Sequence, residues 1–265
     1  MDKVIEVKSW GDLQEQLFSD SWNEEISRYR SKFVYRGMSD KKHELKTSLK
    51  LICDEYEFLE KSLMRNFIKY SSSSFTGEMG FWNYLSIAQH HGLPTRLLDW
   101  TYSPYVALHF ATKDIDQFDR DGVIWCINFV EVKKLLPARL LNILNNEAAD
   151  SFTAEMLNKE IDNFIELNNV SEDPVLFFFE PPSSSGRIIN QYALFSVLSD
   201  PKLVLDEWLE KHPGLYKKIL VPKELKWEIR DKLDQANITE RVLFPGLDGL
   251  CKWLKRHYTP RDNVE

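Results

Sequence analysis

The chain has 265 residues, 43% of them hydrophobic and 13% aromatic, enough to bury a sizeable core. Its formal net charge of −7 argues against broad, sequence-independent nucleic-acid binding, and no apolar run approaches the roughly 18 residues of a membrane-spanning helix. The opening MDKVIEVKSWGDLQEQLFSD lacks the uninterrupted apolar stretch of a signal peptide, so a cytoplasmic location with no membrane partner is expected. Cys53, Cys126 and Cys251 are widely spaced with no C-x-x-C pair, which predicts reduced thiols used as small apolar residues.

KVIEVKSW reads as a short strand and GDLQEQLF as an amphipathic helix; KFVYRGMSD is a strand of aromatic and β-branched residues ended by Gly37. CDEYEFLEKSLMRNFIKYSS places Tyr56, Leu59, Leu63, Phe67 and Tyr70 on one helical stripe. FWNYLSIAQHHG is a second helix, ending at Gly92 with Pro94 beyond it, and Ser103-Pro104 has the form of an N-cap followed by proline. Residues 92–102 are therefore predicted to form an irregular corner between two helices. GVIWCINFV is a near-continuous apolar run of the central-strand kind, VLFFFEPP and YALFSVLS are two further strands, and SSSGRIINQ is a flexible polar turn. Residues 131–170 read as a weakly patterned helical insertion within a single domain spanning 1–265. KKILVPKELKWEIRDKLDQANIT is a strand then a helix, and ERVLFPGLDGLCKWLKRHY a closing helix. The expected class is α+β, with helices gathered before a later set of strands.

The polar residues concentrate in two places. Arg36 stands at a strand end before glycine, where its fork can meet a phosphate and Gly37 would let that ligand approach the backbone, or where it forms a structural ion pair. AQHHGLPTRLLDWTYSPYVALHFA, residues 88–111, brings Thr95, Arg96, Asp99, Thr101 and Ser103 into the corner. Each has a local alternative: Asp99 can cap a turn, Ser103 the next helix, and Arg96 can pair with Asp99. His90 and His91 are adjacent and point to different sides of a helix, which disfavours a shared metal and a nuclease built on them with Asp99. Arg187, Asn190 and Gln191 precede an apolar strand, and Glu180 ends another. No phosphate-cradling P-loop, G-x-S-x-G elbow or H-E-x-x-H pair is present.

Taken together, FVYRG, AQHHGLPTRLLDWTYSPYVALHFA, RIINQYALF and LFPGLDGLCKWLK resemble the FRG domain family, named for its Phe/Tyr-Arg-Gly motif, over roughly residues 10 to 256. That family is largely bacterial or phage-borne. A second resemblance is to ADP-ribosyltransferases of the Arg-Ser-Glu class, which hold NAD with an early-strand arginine, a Ser-Thr-Ser-like strand leading into A-x-x-F-A, and a late glutamate. Tyr35, Arg36 and Gly37 are similar to the first element. Thr101 and Ser103, with Ala107, Phe110 and Ala111, are similar to the second. Gln191 stands where the class has its glutamate.

The second resemblance implies an ADP-ribosyltransferase-like split sheet flanked by helices, with NAD as cofactor. In that reading Arg36 grips a phosphate, Thr101 and Ser103 hold ribose or amide, and Asp99 orients Arg96 or acts as acid–base group. His91 would gate the ligand, and Thr95 and Arg96 would complete the pocket. The implied activity is ADP-ribose transfer to a protein or nucleic-acid acceptor, or nicotinamide release, in a toxin or phage-defence effector. Because glutamine cannot supply the glutamate's charge, the alternative is a non-catalytic module that senses a nucleotide or binds a protein partner.

Overall fold

The computed structural model describes residues 4–52, 56–75, 77, 79–183 and 185–261; Cys53 lies outside them. Ten strands are present among these: β1 (Val4–Glu6), β2 (Trp22–Asn23), β3 (Arg28–Tyr29), β4 (Phe33–Met38), β5 (Leu97–Thr101), β6 (Gly122–Asn128), β7 (Phe152–Thr153), β8 (Leu176–Glu180), β9 (Ala193–Leu198) and β10 (Tyr216–Val221). Eight form one mixed sheet in the order β1-β10-β6-β4-β5-β9-β8-β7, while β2 and β3 make a separate ribbon. Helices flank the sheet, so the architecture is mixed α and β, with helices and strands interspersed rather than segregated. No helix among the described residues is long and apolar enough to cross a membrane.

The strand GVIWCIN lies inside the sheet and is buried at six of its seven positions, as its unbroken apolar run requires when both faces are covered. Three apolar clusters follow from side-chain alternation. On one face a single cluster runs across the sheet from β10 to β8, joining Tyr216 of β10, Trp125 of β6, Val34 of β4, Leu98 and Trp100 of β5, Leu194 of β9 and Phe178 of β8. The other face carries two clusters. One gathers Tyr35, Ile124 and Ile219 beneath the helices Trp10–Phe18, Pro104–Ala111 and Lys226–Gln235. The second gathers Leu97, Phe195, Phe177 and Phe152 beneath Trp82 and Leu85 of the helix Phe81–His90.

Several expectations are corrected here. Residues 97–101 are not an irregular corner but strand β5, paired with β9 at five positions, because Leu97, Leu98, Trp100 and Thr101 are all buried on one face or the other. The polar segment before β9 is the helix Gly186–Gln191, whose first turn is capped by Ser185 accepting from the Ile188 N–H. The closing helix is two, Glu240–Leu243 and Leu247–His257, broken at Pro245-Gly246. Residues 131–170 are helical but not loosely patterned: Leu136, Leu140, Leu144, Leu157, Ile161 and Leu167 are buried in the core with Trp82, and β7 extends the sheet. Cys126 is buried, whereas Cys251 is exposed and so does not serve as a core residue.

His109 sits fully buried on the helix Pro104–Ala111, its Nδ1 2.9 Å from Arg230 Nη1. Burial, helped by the Arg230 charge, lowers its pKa to about 3, so the folded imidazole is neutral where an unfolded one would protonate. Between the ordinary histidine value and about 3 the unfolded chain holds the extra proton, and folding stability therefore falls as pH drops. In urea denaturation, wild type should lose more stability than His109→Gln as pH falls from 6.5 to 5, the extra slope approaching about 1.4 kcal/mol per pH unit by pH 5. Equal slopes for the two proteins would contradict the assignment.

Candidate functional site: a cleft where the sheet opens

β4 pairs with β6 at six positions, and β5 with β9 at five, but β4 and β5 share one pair only, Tyr35 with Thr101. Past that pair the strands diverge, and the backbone of β5 that faces β4 has no ladder partner there. Arg36 fills the gap: its Nη1 donates to the Asp99 carbonyl oxygen at 2.6 Å. A cleft of about 440 Å³ opens at this point, within the ~300–1,000 Å³ of small-molecule sites. Arg36 to Met38 line it from β4 and Ser39 from just past its end, Asp99 to Thr101 from β5, Phe110 and Lys113 from the helix end, and Arg187 and Gln191 from the helix before β9.

The electrostatics are mixed at short range. Arg36 is a quarter exposed; burial lowers its pKa and the Asp99 charge opposes that shift. Asp99 is the one exposed residue of β5, its side chain 61% accessible, and its Oδ2 lies 4.0 Å from Arg36 Nη1. A relay holds it in place. The Thr95 hydroxyl donates to Gln89 Oε1 at 2.6 Å, which turns the Gln89 amide so that Nε2 donates to Asp99 Oδ2 at 3.0 Å. Opposite, the Arg187 guanidinium stacks on Phe244 at 5.1 Å, and Lys113 lies over Phe110 at 5.8 Å. Arg36, Lys113 and Arg187 thus line the cleft together with Asp99 and Asp114, in a chain that is acidic as a whole.

Residues 31–120 match the FRG domain family. No curated protein and no solved structure matches the chain. The FRG match covers less than the motifs suggested, since RIINQYALF and LFPGLDGLCKWLK fall outside it. It contains Arg36, Asp99, Thr101, Phe110 and Lys113, while Arg187 and Gln191 close the cleft from beyond the FRG segment.

The structure separates the residues the sequence grouped. Arg36, Asp99, Thr101 and Gln191 line the cleft together with Tyr35 and Gly37. Tyr35, however, is 2% exposed, and its hydroxyl contacts the Leu17 carbonyl and Ser31 on the helix-covered face. Gly37 also answers to packing, because a Cβ there would overlap the Ala107 carbonyl oxygen of the helix lying on β4. The Thr101 hydroxyl donates to the Gln191 carbonyl at 2.7 Å and accepts from the Ser103 N–H, so its hydrogen is already committed. Ser103 caps the helix Pro104–Ala111 and does not line the cleft.

Thr95 and Arg96 are buried away from the opening, and His91 faces a separate pocket with His90. Asp99 does not orient Arg96. Arg96 instead meets Glu60 through two hydrogen bonds, Nε to Oε1 at 2.7 Å and Nη2 to Oε2, and adds Asn168 Oδ1 and the Ser199 carbonyl. Gln191 lines the cleft, but its Nε2 donates to the Leu243 carbonyl, 3.0 Å away. Sequence reasoning missed Ser39, His43, Lys113, Asp114 and Gln117. Lys113 follows directly on a buried helix, and that position was the one available hint. Among the described residues, no three His, Cys, Asp or Glu side chains gather where they could hold a metal ion.

Two expected outcomes follow from these contacts. Arg96→Met would strand the Glu60 carboxylate in the core and lower stability by about 3–5 kcal/mol in chemical denaturation. A loss under 1 kcal/mol would refute the buried pairing. Gln191→Glu replaces a donor with an acceptor facing a carbonyl, so it should cost about 1–3 kcal/mol of stability rather than install a free carboxylate in the cleft. The same denaturation measurement decides it.

Proposed function

We propose that the cleft binds a nucleotide carrying a ribose and phosphates, with NAD the first candidate. The observation that carries this reading is the exposed Asp99 carboxylate, 4.0 Å from Arg36 Nη1, in a cleft that Lys113 and Arg187 also line. Ribose hydroxyls donate to a carboxylate, phosphates accept from guanidinium and ammonium groups, and the Phe110 ring offers an apolar surface to a base. The opening between β4 and β5 supports the comparison with the split sheet of ADP-ribosyltransferases. The FRG match supports the Arg36 motif alone.

In the catalytic form of this reading the bond between nicotinamide nitrogen and ribose C1′ breaks, and its electron pair leaves with neutral nicotinamide. Positive charge develops on the ribose, where the Asp99 carboxylate would stabilise it. Water or an acceptor nucleophile on a protein or nucleic acid then bonds to C1′ and releases a proton. Such an activity would suit a bacterial or phage toxin or defence effector acting inside a cell. The second reading, a nucleotide sensor without turnover, is favoured by one contact: Gln191 is neutral and tied to the Leu243 carbonyl.

Calorimetry with NAD, paired with chromatography for released nicotinamide, tests both. Arg36→Ala should weaken binding by roughly tenfold to a hundredfold, the worth of a charge-assisted hydrogen bond. Asp99→Asn should cut turnover by about 10²–10³ while leaving binding nearly intact. Binding without nicotinamide release selects the sensor. No binding of NAD or of ADP-ribose overturns the nucleotide reading.

A further inference from the structure

Beyond the cleft, the ends of β5 and β9 carry a second constellation that no step above uses. The ladder of these strands continues one residue past Thr101 and Ala193, where the Tyr102 N–H donates to the Tyr192 carbonyl at 3.1 Å. Two tyrosines therefore stand side by side, ring centroids 4.9 Å apart. Tyr102 is supported from beneath by Phe129 at 5.7 Å. Tyr192 is 60% exposed and holds φ 48°, ψ 51°, a left-handed conformation that disfavours bulky side chains.

A carboxylate completes the group. Glu180 is exposed at the end of β8, and its Oε1 accepts from the Tyr102 hydroxyl at 2.8 Å and from the Ser151 hydroxyl at 3.1 Å. It has no ion-pair partner among the described residues. Most exposed carboxylates turn freely in water, whereas this one is held by two hydroxyls beside an exposed aromatic face.

We infer that Tyr192, Tyr102 and Glu180 form a binding site for the guanidinium of an arginine side chain presented by a partner protein. A planar cation can lie on the Tyr192 ring while its edge donates to the second Glu180 oxygen, which has no donor among the described residues. A compact, strongly hydrated ammonium gains less from the ring, which selects guanidinium over lysine. The chain's net charge of −7 draws such a partner in.

The test titrates the full chain with acetyl-arginine amide, without nucleotide, and follows backbone amide shifts by NMR, so its result is independent of the nucleotide reading. Saturable shifts at Tyr102, Glu180 and Tyr192, absent with the uncharged acetyl-citrulline amide, are expected. Glu180→Gln keeps an acceptor for Tyr102 and should weaken binding at least tenfold. Tyr192→Gly suits the left-handed backbone, keeps the fold and should weaken binding several-fold. Absence of shifts at these residues in the wild type, or equal affinity in Glu180→Gln, overturns the proposal.

Discussion

The hydrogen bond from Arg36 to the Asp99 carbonyl stands where a strand ladder would otherwise continue. A sheet opened between two interior strands leaves carbonyls and N–H groups without partners, and each buried one costs about 1–3 kcal/mol. Here the guanidinium takes over one of them and keeps its outer edge in the cleft. The opening is affordable because one face of the sheet never divides: a single apolar cluster runs beneath it from Val34 through Trp100 to Phe178. Only the other face separates into two clusters, and Asp99 projects from β5 on that face, next after Leu97.

The cleft wall is also fastened from far along the chain. Asn190 and Gln191 donate to the Val242 and Leu243 carbonyls at 2.7 and 3.0 Å, and Phe244 carries the Arg187 guanidinium. The short helix that supplies these carbonyls is held in turn by Arg256, which hydrogen-bonds to Glu240 and Asp234 on both guanidinium edges. Burial pushes Glu240 up, but the Arg256 hydrogen bonds and the Arg230 charge outweigh it and bring its pKa to about 2. The position of Arg187 and Gln191 therefore depends on ion pairs in the last fifth of the chain.

Much of this was legible and some was not, for identifiable reasons. Long apolar runs such as GVIWCIN and LFFFE announced their strands, and Ser103-Pro104 its cap, because local pattern and tertiary burial agree there. LLDWT was misread because one exposed aspartate in a five-residue strand looks like a turn, and only the opening beside it explains the exposure. Arg96 and Asp99, three residues apart, look like natural partners. In a strand such residues lie on opposite faces, and Arg96 pairs instead with Glu60, 36 positions away. Lys113 and Phe110 reach the cleft through the direction of one helix, which no spacing encodes.

The Tyr-Arg-Gly triplet shows how period-two geometry divides three adjacent residues among separate tasks. Tyr35 and Gly37 share a face: the first fills the cluster beneath two helices, and the second lets the helix Pro104–Ala111 lie flush against β4. Arg36 alternates away from both and is left to bridge the gap to β5. The helix pressed against Gly37 also leads directly to Lys113, and its end carries Phe110 into the cleft. A side chain at position 37 would lift that helix and move the far wall of the cleft away from Arg36. The glycine thus shapes the opening as well as lining it, and the motif is best understood as one strand setting two walls at once.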